Sequence, residues 1–127
     1  MKKRIIILLS IFVIAFIVVM TIPIKEDTWS YKLISKYSVE KIDEDNIIIT
    51  KKGNKKPIIS EYVEAYAISD KYICARVLVY DKNLDVLYYI IDSKKDDVIG
   101  PYDINEFSNK LKELKIEDIN WIETLSL

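Results

Sequence analysis

An uncharged apolar segment near the N-terminus constrains this chain more than any other feature of its sequence. From Ile5 to Ile24 there are 20 consecutive residues without a charged side chain. A helix that rises about 1.5 Å per residue would make this segment roughly 30 Å long, the thickness of the hydrocarbon core of a bilayer. A helix buried inside a soluble domain is the less favoured interpretation, because such helices need one polar face. The segment therefore predicts a membrane span or an export signal.

A retained anchor is favoured over a cleaved signal peptide. The apolar run is longer than that of a typical signal peptide, and no small-residue cleavage site is recognisable between Val18 and Trp29. The chain has one cysteine, Cys74, so no lipid-modified cysteine follows the run directly. We predict that residues 1–24 form a membrane anchor or signal segment and that residues 25–127 form one extracytoplasmic α+β domain.

The charges that flank the apolar run predict its orientation. Three basic residues precede the run, whereas one basic and two acidic residues follow it directly. The positive-inside rule then places the N-terminus in the cytoplasm. The predicted localisation is the cytoplasmic membrane, with a single span at residues 5–24, the N-terminus inside and the domain outside the cytoplasm.

The domain that follows the anchor is acidic. Residues 25–127 carry 16 basic and 20 acidic side chains, a formal net charge of −4. This balance argues against a nucleic-acid partner, which requires a basic surface. One basic run is the exception, and it consists of Lys51, Lys52, Lys55 and Lys56. Because Gly53 and Asn54 lie in its middle, we interpret it as a solvated turn rather than as a phosphate or headgroup site.

Short β-branched and alternating segments after the anchor predict antiparallel strands. Polar turns separate these segments, and short connections favour pairing between sequential strands. A tight hairpin is expected at Gly53 and Asn54, because both residues tolerate positive φ. The predicted strands are residues 29–34, 47–50, 63–68, 72–80, 86–91 and 98–99, and residues 39–42 either continue the first strand or form a short second one.

The hydrophobic period changes to that of a helix after Pro101. Asp103 is a suitable N-cap, and Glu106, three residues later, completes a capping box. The apolar residues that follow share one helical stripe, and they are Ile104, Phe107, Leu111 and Leu114. We therefore predict an amphipathic helix over residues 104–115. For the tail after Ile116, a short helix and an edge strand are both left open.

These elements together define the predicted fold class. It is α+β, with an N-terminal transmembrane helix followed by an antiparallel β-meander sheet with one C-terminal amphipathic helix packed on it. An open sheet of about five to seven strands needs one face covered, and the single long helix can cover it.

The composition excludes several common chemistries. The chain has no histidine, the most common general base and zinc ligand, and its two glycines cannot form a phosphate-binding loop. An acidic cluster at residues 43–45 lacks the EF-hand glycine, because its sixth position is Ile48. Cys74 is interpreted as a small buried hydrophobe, with activation by nearby Arg76 as a weaker alternative. We predict no enzyme activity and no catalytic, cofactor-binding or metal-binding residues.

Nine tyrosines are the compositional feature that points towards binding. Tyrosine suits both strand packing, which is the favoured interpretation, and partner surfaces. The candidate partner-binding residues are Tyr62, Tyr66 and Tyr102. The leading hypothesis is a membrane-anchored extracytoplasmic interaction module that binds a protein or an envelope component. One alternative is an inhibitor or immunity-type protein that neutralises a partner enzyme or toxin, whose basic surface its acidity would attract. A carboxylate-based hydrolase is the lesser alternative.

The second half of the chain also resembles a known family. The motifs are the run from Asp70 to Arg76, the run from Tyr88 to Asp92, Gly100-Pro101-Tyr102, and Phe107 with the residues 111–116. On these motifs, the chain is similar to a family of small uncharacterised bacterial domains that often follow a lipoprotein signal, the domain of unknown function 3997. The resemblance implies an envelope location, and it implies no activity and no catalytic residues. The lipid-attachment cysteine is missing here, which leaves the helix as the anchor.

Overall fold

Eight strands, one α-helix and one 3₁₀ turn are present in the part of the chain that the computed structural model describes, residues 27–80 and 83–127. The strands are β1 (Trp29–Lys32), β2 (Tyr37–Asp43), β3 (Asn46–Lys51), β4 (Tyr62–Ser69), β5 (Tyr72–Tyr80), β6 (Leu84–Asp92), β7 (Asp97–Tyr102) and β8 (Ile122–Glu123). The helix α1 spans Ile104–Glu113, and the 3₁₀ turn spans Thr124–Ser126. All pairings among these strands are antiparallel, as the sequence predicts.

The meander divides into two sheets instead of the single sheet expected from the sequence. One sheet has the order β1-β2-β3, and the other has the order β7-β6-β5-β4-β8. The chain passes from one to the other through residues 52–61, which an isolated antiparallel bridge between Ile49 and Ile59 ties to β3. The turn predicted at Gly53 and Asn54 is present, since the Asn54 N–H donates to the Lys51 carbonyl oxygen at 3.0 Å and Gly53 adopts a positive φ of 91°. The expected tight hairpin is not, because the chain on either side pairs only through the bridge between Ile49 and Ile59.

The main hydrophobic core lies between the two sheets. Successive residues of a strand point to opposite faces, so alternate apolar residues of both sheets meet there. The largest of the fully buried members are Tyr37, Ile47, Ile49, Ile59, Ile73 and Ile91. The five-stranded sheet is thus covered on one face by the three-stranded sheet.

The other face of the five-stranded sheet carries α1 and the C-terminal segment. Phe107 of α1 is 3% exposed and packs with Cys74 and Ile90 of the sheet. The capping box is confirmed, since Asp103 Oδ1 accepts from the Glu106 N–H at 2.8 Å and Glu106 Oε1 accepts from the Asp103 N–H at 3.1 Å. The amphipathic helix packed on the sheet is therefore as predicted, although it ends at Glu113.

The C-terminal tail adds an edge strand to the sheet. Ile122 and Glu123 pair with β4 next to a bulge in that strand. Thr124 is 1% exposed, and its hydroxyl donates to the carbonyl oxygens of Val63 and Glu64 at 2.9 and 2.8 Å. A bulge disrupts the regular ladder of hydrogen bonds, so this side chain satisfies backbone groups that the ladder leaves open.

The transmembrane helix in the predicted fold class is wrong for the described residues. A span needs about 20 apolar residues, whereas α1 has 10 residues and carries several charged side chains. Across residues 27–80 and 83–127, no helix is long and apolar enough to cross a membrane. The apolar run at residues 5–24, on which the prediction rested, lies outside the described residues. The fold is corrected to two antiparallel sheets with one short helix, and the single-span membrane localisation is withdrawn with the anchor.

Candidate anion-binding groove

The three candidate tyrosines do not form one surface. Tyr66 is 6% exposed and belongs to the core between the sheets, and Tyr62 is half-buried at the edge of that core. Tyr102 packs on the opposite face of the five-stranded sheet, in the cluster that contains Phe107. Tyr66 thus packs in the core, in agreement with strand packing as the favoured interpretation of the tyrosines. A role of these residues in partner binding stays a prediction.

A groove of about 980 Å³ lies on the outer face of the three-stranded sheet. Because Val39 and Ile49 point into the core, their neighbours along β2 and β3 point outwards. These outward residues form the floor, and they include Ser38, Glu40, Ile48 and Thr50. The loop at residues 52–57 lines the groove beside them. The loop that connects the two sheets therefore also builds the concave surface.

Six lysines line this groove, and Glu40 is the one acidic residue among its lining residues. The lysines are Lys32, Lys36, Lys51, Lys52, Lys55 and Lys56. The formal charge of the lining is thus +5, although residues 25–127 as a whole carry −4. Basic side chains are therefore segregated into the groove, and the rest of this acidic domain holds ten basic against nineteen acidic residues.

The strand register brings lysines from separate parts of the sequence together. Tyr37 of β2 is paired with Lys51 of β3. Beyond that pair, the Lys52 N–H donates to the carbonyl oxygen of Lys36 at 2.8 Å. The β1–β2 turn and the loop after β3 therefore meet at one end of the sheet. Sequence reasoning found the basic run but missed Lys32 and Lys36, because their proximity depends on a pairing that no local pattern specifies.

Most of the groove lysines have no acidic partner within the described part of the chain. The exception is Lys51, whose Nζ lies 3.0 Å from Asp96 Oδ2. Asp96 also accepts a hydrogen bond from the Tyr37 hydroxyl at 2.8 Å. For the other five lysines, the described residues show no ion pair. Their charges are thus available to a ligand.

Asp96 links Lys51 and Tyr37, and neither Asp96 nor Tyr37 changes its protonation state near neutral pH. The hydrogen bonds from Tyr37 and Lys51 hold the pKa of Asp96 below its usual value. Burial, followed by the hydrogen bond to Asp96, raises the pKa of Tyr37 to about 12. The carboxylate therefore stays ionised and the phenol stays protonated. This arrangement holds Lys51 in place at the end of the groove.

The remaining lining residues offer polar groups but no accessible aromatic face. Hydroxyl and amide groups come from Ser38, Thr50, Asn46 and Asn54. Tyr37 also lines the groove, but it is 2% exposed. Lysine acts as a compact point charge, whereas arginine presents a planar fork, and the lining contains no arginine. The groove is suited to negative charge of high density rather than to a flat ring.

Comparison with known families identifies the chain at the level of its family. A family model described as Protein of unknown function (DUF3997) matches residues 34–124, which is more than half of the chain. The chain belongs to this family. The resemblance derived from the sequence motifs is confirmed in that respect. The envelope location and the lipoprotein-like arrangement are not part of what the match shows.

The DUF3997 match spans almost the whole candidate site. It includes every residue that lines the groove except Lys32. No curated protein and no solved structure matches the chain significantly. The description of the family carries no activity, so a function has to be argued from the groove itself.

A second charged region within the matched residues has a different character. Arg76 Nε donates to Glu64 Oε2 at 3.0 Å, and Arg76 Nη2 donates to Glu123 Oε1. The guanidinium carbon also lies 5.2 Å from the centre of the Trp121 ring. Although burial opposes its charge, these hydrogen bonds raise the pKa of Arg76 above its usual value. We call these four residues the arginine cluster, and it fixes the C-terminal segment to β4 and β5.

Two other candidates from the sequence have structural roles. Cys74 is 0% exposed, and burial raises the pKa of its thiol to about 12, so it is not an available nucleophile. Asp43 accepts hydrogen bonds from the Asn46 side chain at 2.8 Å and from the Asp45 N–H at 2.9 Å. The acidic cluster thus closes the turn between β2 and β3. Among residues 27–80 and 83–127, no group of three metal-ligating side chains is assembled.

Proposed function

We propose that this DUF3997 domain is a binding module for an anionic ligand, which it takes up in the lysine-lined groove. The observation that carries the proposal is the segregation of charge, with six lysines and one glutamate in a groove on an otherwise acidic domain. An interaction module is also the leading hypothesis from the sequence. The sequence suggested that the partner would be bound through tyrosines, whereas the groove would bind it through the positive charges of lysines.

The energetics of clustered charges support this proposal. Like charges still repel one another at physiological salt over distances up to the Debye length of about 8–10 Å, so neighbouring lysines of the groove, such as Lys55 and Lys56, disfavour one another. A cleft lined by one sign of charge also focuses the electrostatic potential and raises the local concentration of counter-ions. A bound anion would relieve the repulsion and use this potential. Five lysines without an acidic partner among the described residues are what such a site requires.

Binding is favoured over the hydrolase alternative by the content of the groove. Hydrolysis of glycosides by carboxylates needs two acids that face each other across a cleft. Glu40 is the one acidic residue among the lining residues. The inhibitor alternative calls for a basic target, whereas the groove favours an acidic one. That alternative stays a prediction from the sequence, and no contact described above favours it.

The proposal is tested by removing charge from the groove and, as a control, from another part of the domain. The test variant is the triple substitution Lys52→Gln, Lys55→Gln and Lys56→Gln. The control variant is Lys110→Gln, Lys112→Gln and Lys115→Gln, which removes the same charge on and just after α1. Retention of each protein on phosphocellulose is measured against salt concentration. We expect the wild type and the control to be retained and the groove variant to elute much earlier.

Equal elution of the two variants would contradict the proposal. It would mean that the resin responds to net charge, since both variants have lost three positive charges. Both variants keep all the contacts of the core and of the arginine cluster. Their folding is checked by the midpoint of thermal unfolding before the columns are compared.

A further inference from the structure

We infer that the ligand of the groove is a linear chain of phosphate groups rather than a single compact anion. This inference rests on the proposed anion-binding function and adds the class of ligand. The observations that support it are a second cavity that adjoins the groove, the exclusive use of lysine among the basic residues that line both, and the lack of an accessible aromatic ring in either lining.

A second cavity of about 530 Å³ adjoins the groove. The two cavities share Ser35 and Lys36 in the turn between β1 and β2. The second cavity is bounded by this turn, by the β4–β5 turn and by the β6–β7 turn. Each turn contains a residue with positive φ, and these residues are Ser35 at 55°, Asp70 at 53° and Asp96 at 56°. Lys36 therefore lies at a junction between two concave surfaces.

The lining of the second cavity has a formal charge of +1, from three lysines and two aspartates. Two of these charges have ion-pair partners outside the lining, because Lys71 lies 3.8 Å from Asp92 and Asp96 lies 3.0 Å from Lys51. Lys36 and Lys94 form no ion pair among the described residues, and Asp70 is the acidic lining residue without such a pair. A chain of negative charges can thus leave the groove at Lys36 and continue towards Lys94. The groove alone has the volume of a site for a drug-sized ligand, which is more than one small anion fills.

The type of basic residue favours recognition through point charges. Arginine binds both carboxylate and phosphate through its bidentate fork, whereas lysine binds an anion as a compact point charge and is a common ligand of phosphate. No arginine lines either cavity. Single-stranded nucleic acid would also supply phosphates, but its binding sites use aromatic rings on which bases stack. Tyr37 is the one aromatic lining residue, and it is buried. A phosphate chain without bases fits these observations best.

The test uses the full-length chain and inorganic polyphosphates of two lengths. Binding of tripolyphosphate is compared with binding of a chain of about 20 phosphates, at equal concentrations of phosphate groups, by calorimetry. We expect the longer chain to bind at least about 10-fold more tightly per phosphate, because its additional contacts are intramolecular. We also expect Lys94→Gln to weaken the longer chain about 3-fold and to leave tripolyphosphate unchanged. Lys112→Gln serves as the matched control and should change neither.

Each other outcome has a definite meaning. Equal affinity per phosphate would overturn the inference and leave the proposed function intact, since the groove would then hold a compact anion. Tighter binding of poly-glutamate of matched length would overturn it in favour of an acidic polypeptide. A Lys94→Gln variant that binds the long chain as the wild type does would also overturn the inference, because the phosphate chain would then not extend into the second cavity. If none of these anions binds, both the inference and the proposed function fail.

Discussion

The lysine groove and the arginine cluster use positive charge in opposite ways. In the arginine cluster, Arg76 is held by two carboxylates and an aromatic ring, and 20% of its side chain is exposed. In the groove, one lysine of six has an acidic partner among the described residues. A partly buried charge must be paired, because burial without a partner is costly. Exposed charges have no such requirement, so the fold tolerates a group of unpaired lysines that does not stabilise it and that is suited to a ligand.

The largest difference between the two regions should appear in the free energy of unfolding. Arg76→Met removes the partner of Glu64, whose side chain is 30% exposed, and frees Glu123. We expect a loss of about 2 kcal/mol, less than for a fully buried pair because solvent screens these charges. The groove variant Lys52→Gln, Lys55→Gln and Lys56→Gln should change by less than about 0.5 kcal/mol. Denaturant unfolding measures both, and similar losses in the two variants would abolish the distinction.

The second expected effect tests whether the arginine cluster depends on docking of the C-terminal segment. Thr124→Val keeps the shape of the side chain but removes the proton shared by the carbonyl oxygens of Val63 and Glu64. Leaving these acceptors without a donor should cost about 1–2 kcal/mol. Thr124→Ser, which retains the hydroxyl, is the matched control and should lose less. If the valine variant unfolds at the same denaturant concentration as the wild type, Thr124 does not hold the segment.

The elements with strong local signals were predicted well from the sequence. The helix α1 was predicted from the capping box of Asp103 and Glu106 and from an apolar stripe, which all lie within a short stretch of sequence. Strands β4 to β6 followed from short apolar runs between polar turns, whereas β7 continues through Gly100 and Pro101 beyond the predicted residues 98–99. The periodicity of a strand does not specify which partner it pairs with, however. The division into two sheets between β3 and β4 was therefore missed.

The candidate site depended more on distant contacts and was predicted less well. The basic run at residues 51–56 was visible in the sequence, but Lys36 joins it only through the register of β2 and β3. The partners of Arg76 lie 12 and 47 residues away along the chain. Tyrosine content was a weaker guide, because tyrosine packs in a core as readily as it binds a partner. The acidic net charge of residues 25–127 gave no indication that lysines from separate segments would line one groove.

A smaller effect concerns the response of the two regions to salt. Repulsion among the groove lysines should destabilise the wild type at low ionic strength, and added salt should screen it. We expect an increase from 0.05 to 0.5 M salt to stabilise the wild type by about 0.5 kcal/mol more than the triple groove variant. Thermal or denaturant unfolding at both salt concentrations gives this difference. An identical response of the two proteins would mean that the lysines are too far apart to interact.

The smallest stability effect is expected at Asp96, where the groove is linked to the five-stranded sheet. The pKa of Asp96 is held below its usual value of 3.8 by the hydrogen bonds from Tyr37 and Lys51. A group whose pKa is lowered by folding stabilises the fold above its unfolded pKa, and the contribution is lost as the pH falls through the folded value. Asp96→Asn should therefore be less stable than the wild type at pH 7. The difference should shrink below about pH 4, as denaturant unfolding over this pH range would show.

The same substitution should act in the opposite direction on ligand binding. Asp96→Asn releases Lys51 from its ion pair and removes a negative charge from the junction between the two cavities. We expect binding of polyphosphate to tighten about 2–3-fold while the fold becomes slightly less stable. Tyr37→Phe separates the effect on stability from the effect on binding. It removes a hydrogen bond to the Asp96 carboxylate but keeps the ion pair between Asp96 and Lys51. Weaker binding of polyphosphate by Asp96→Asn would contradict this expectation. It would show that the ligand binds better when the ion pair with Asp96 holds Lys51 in place.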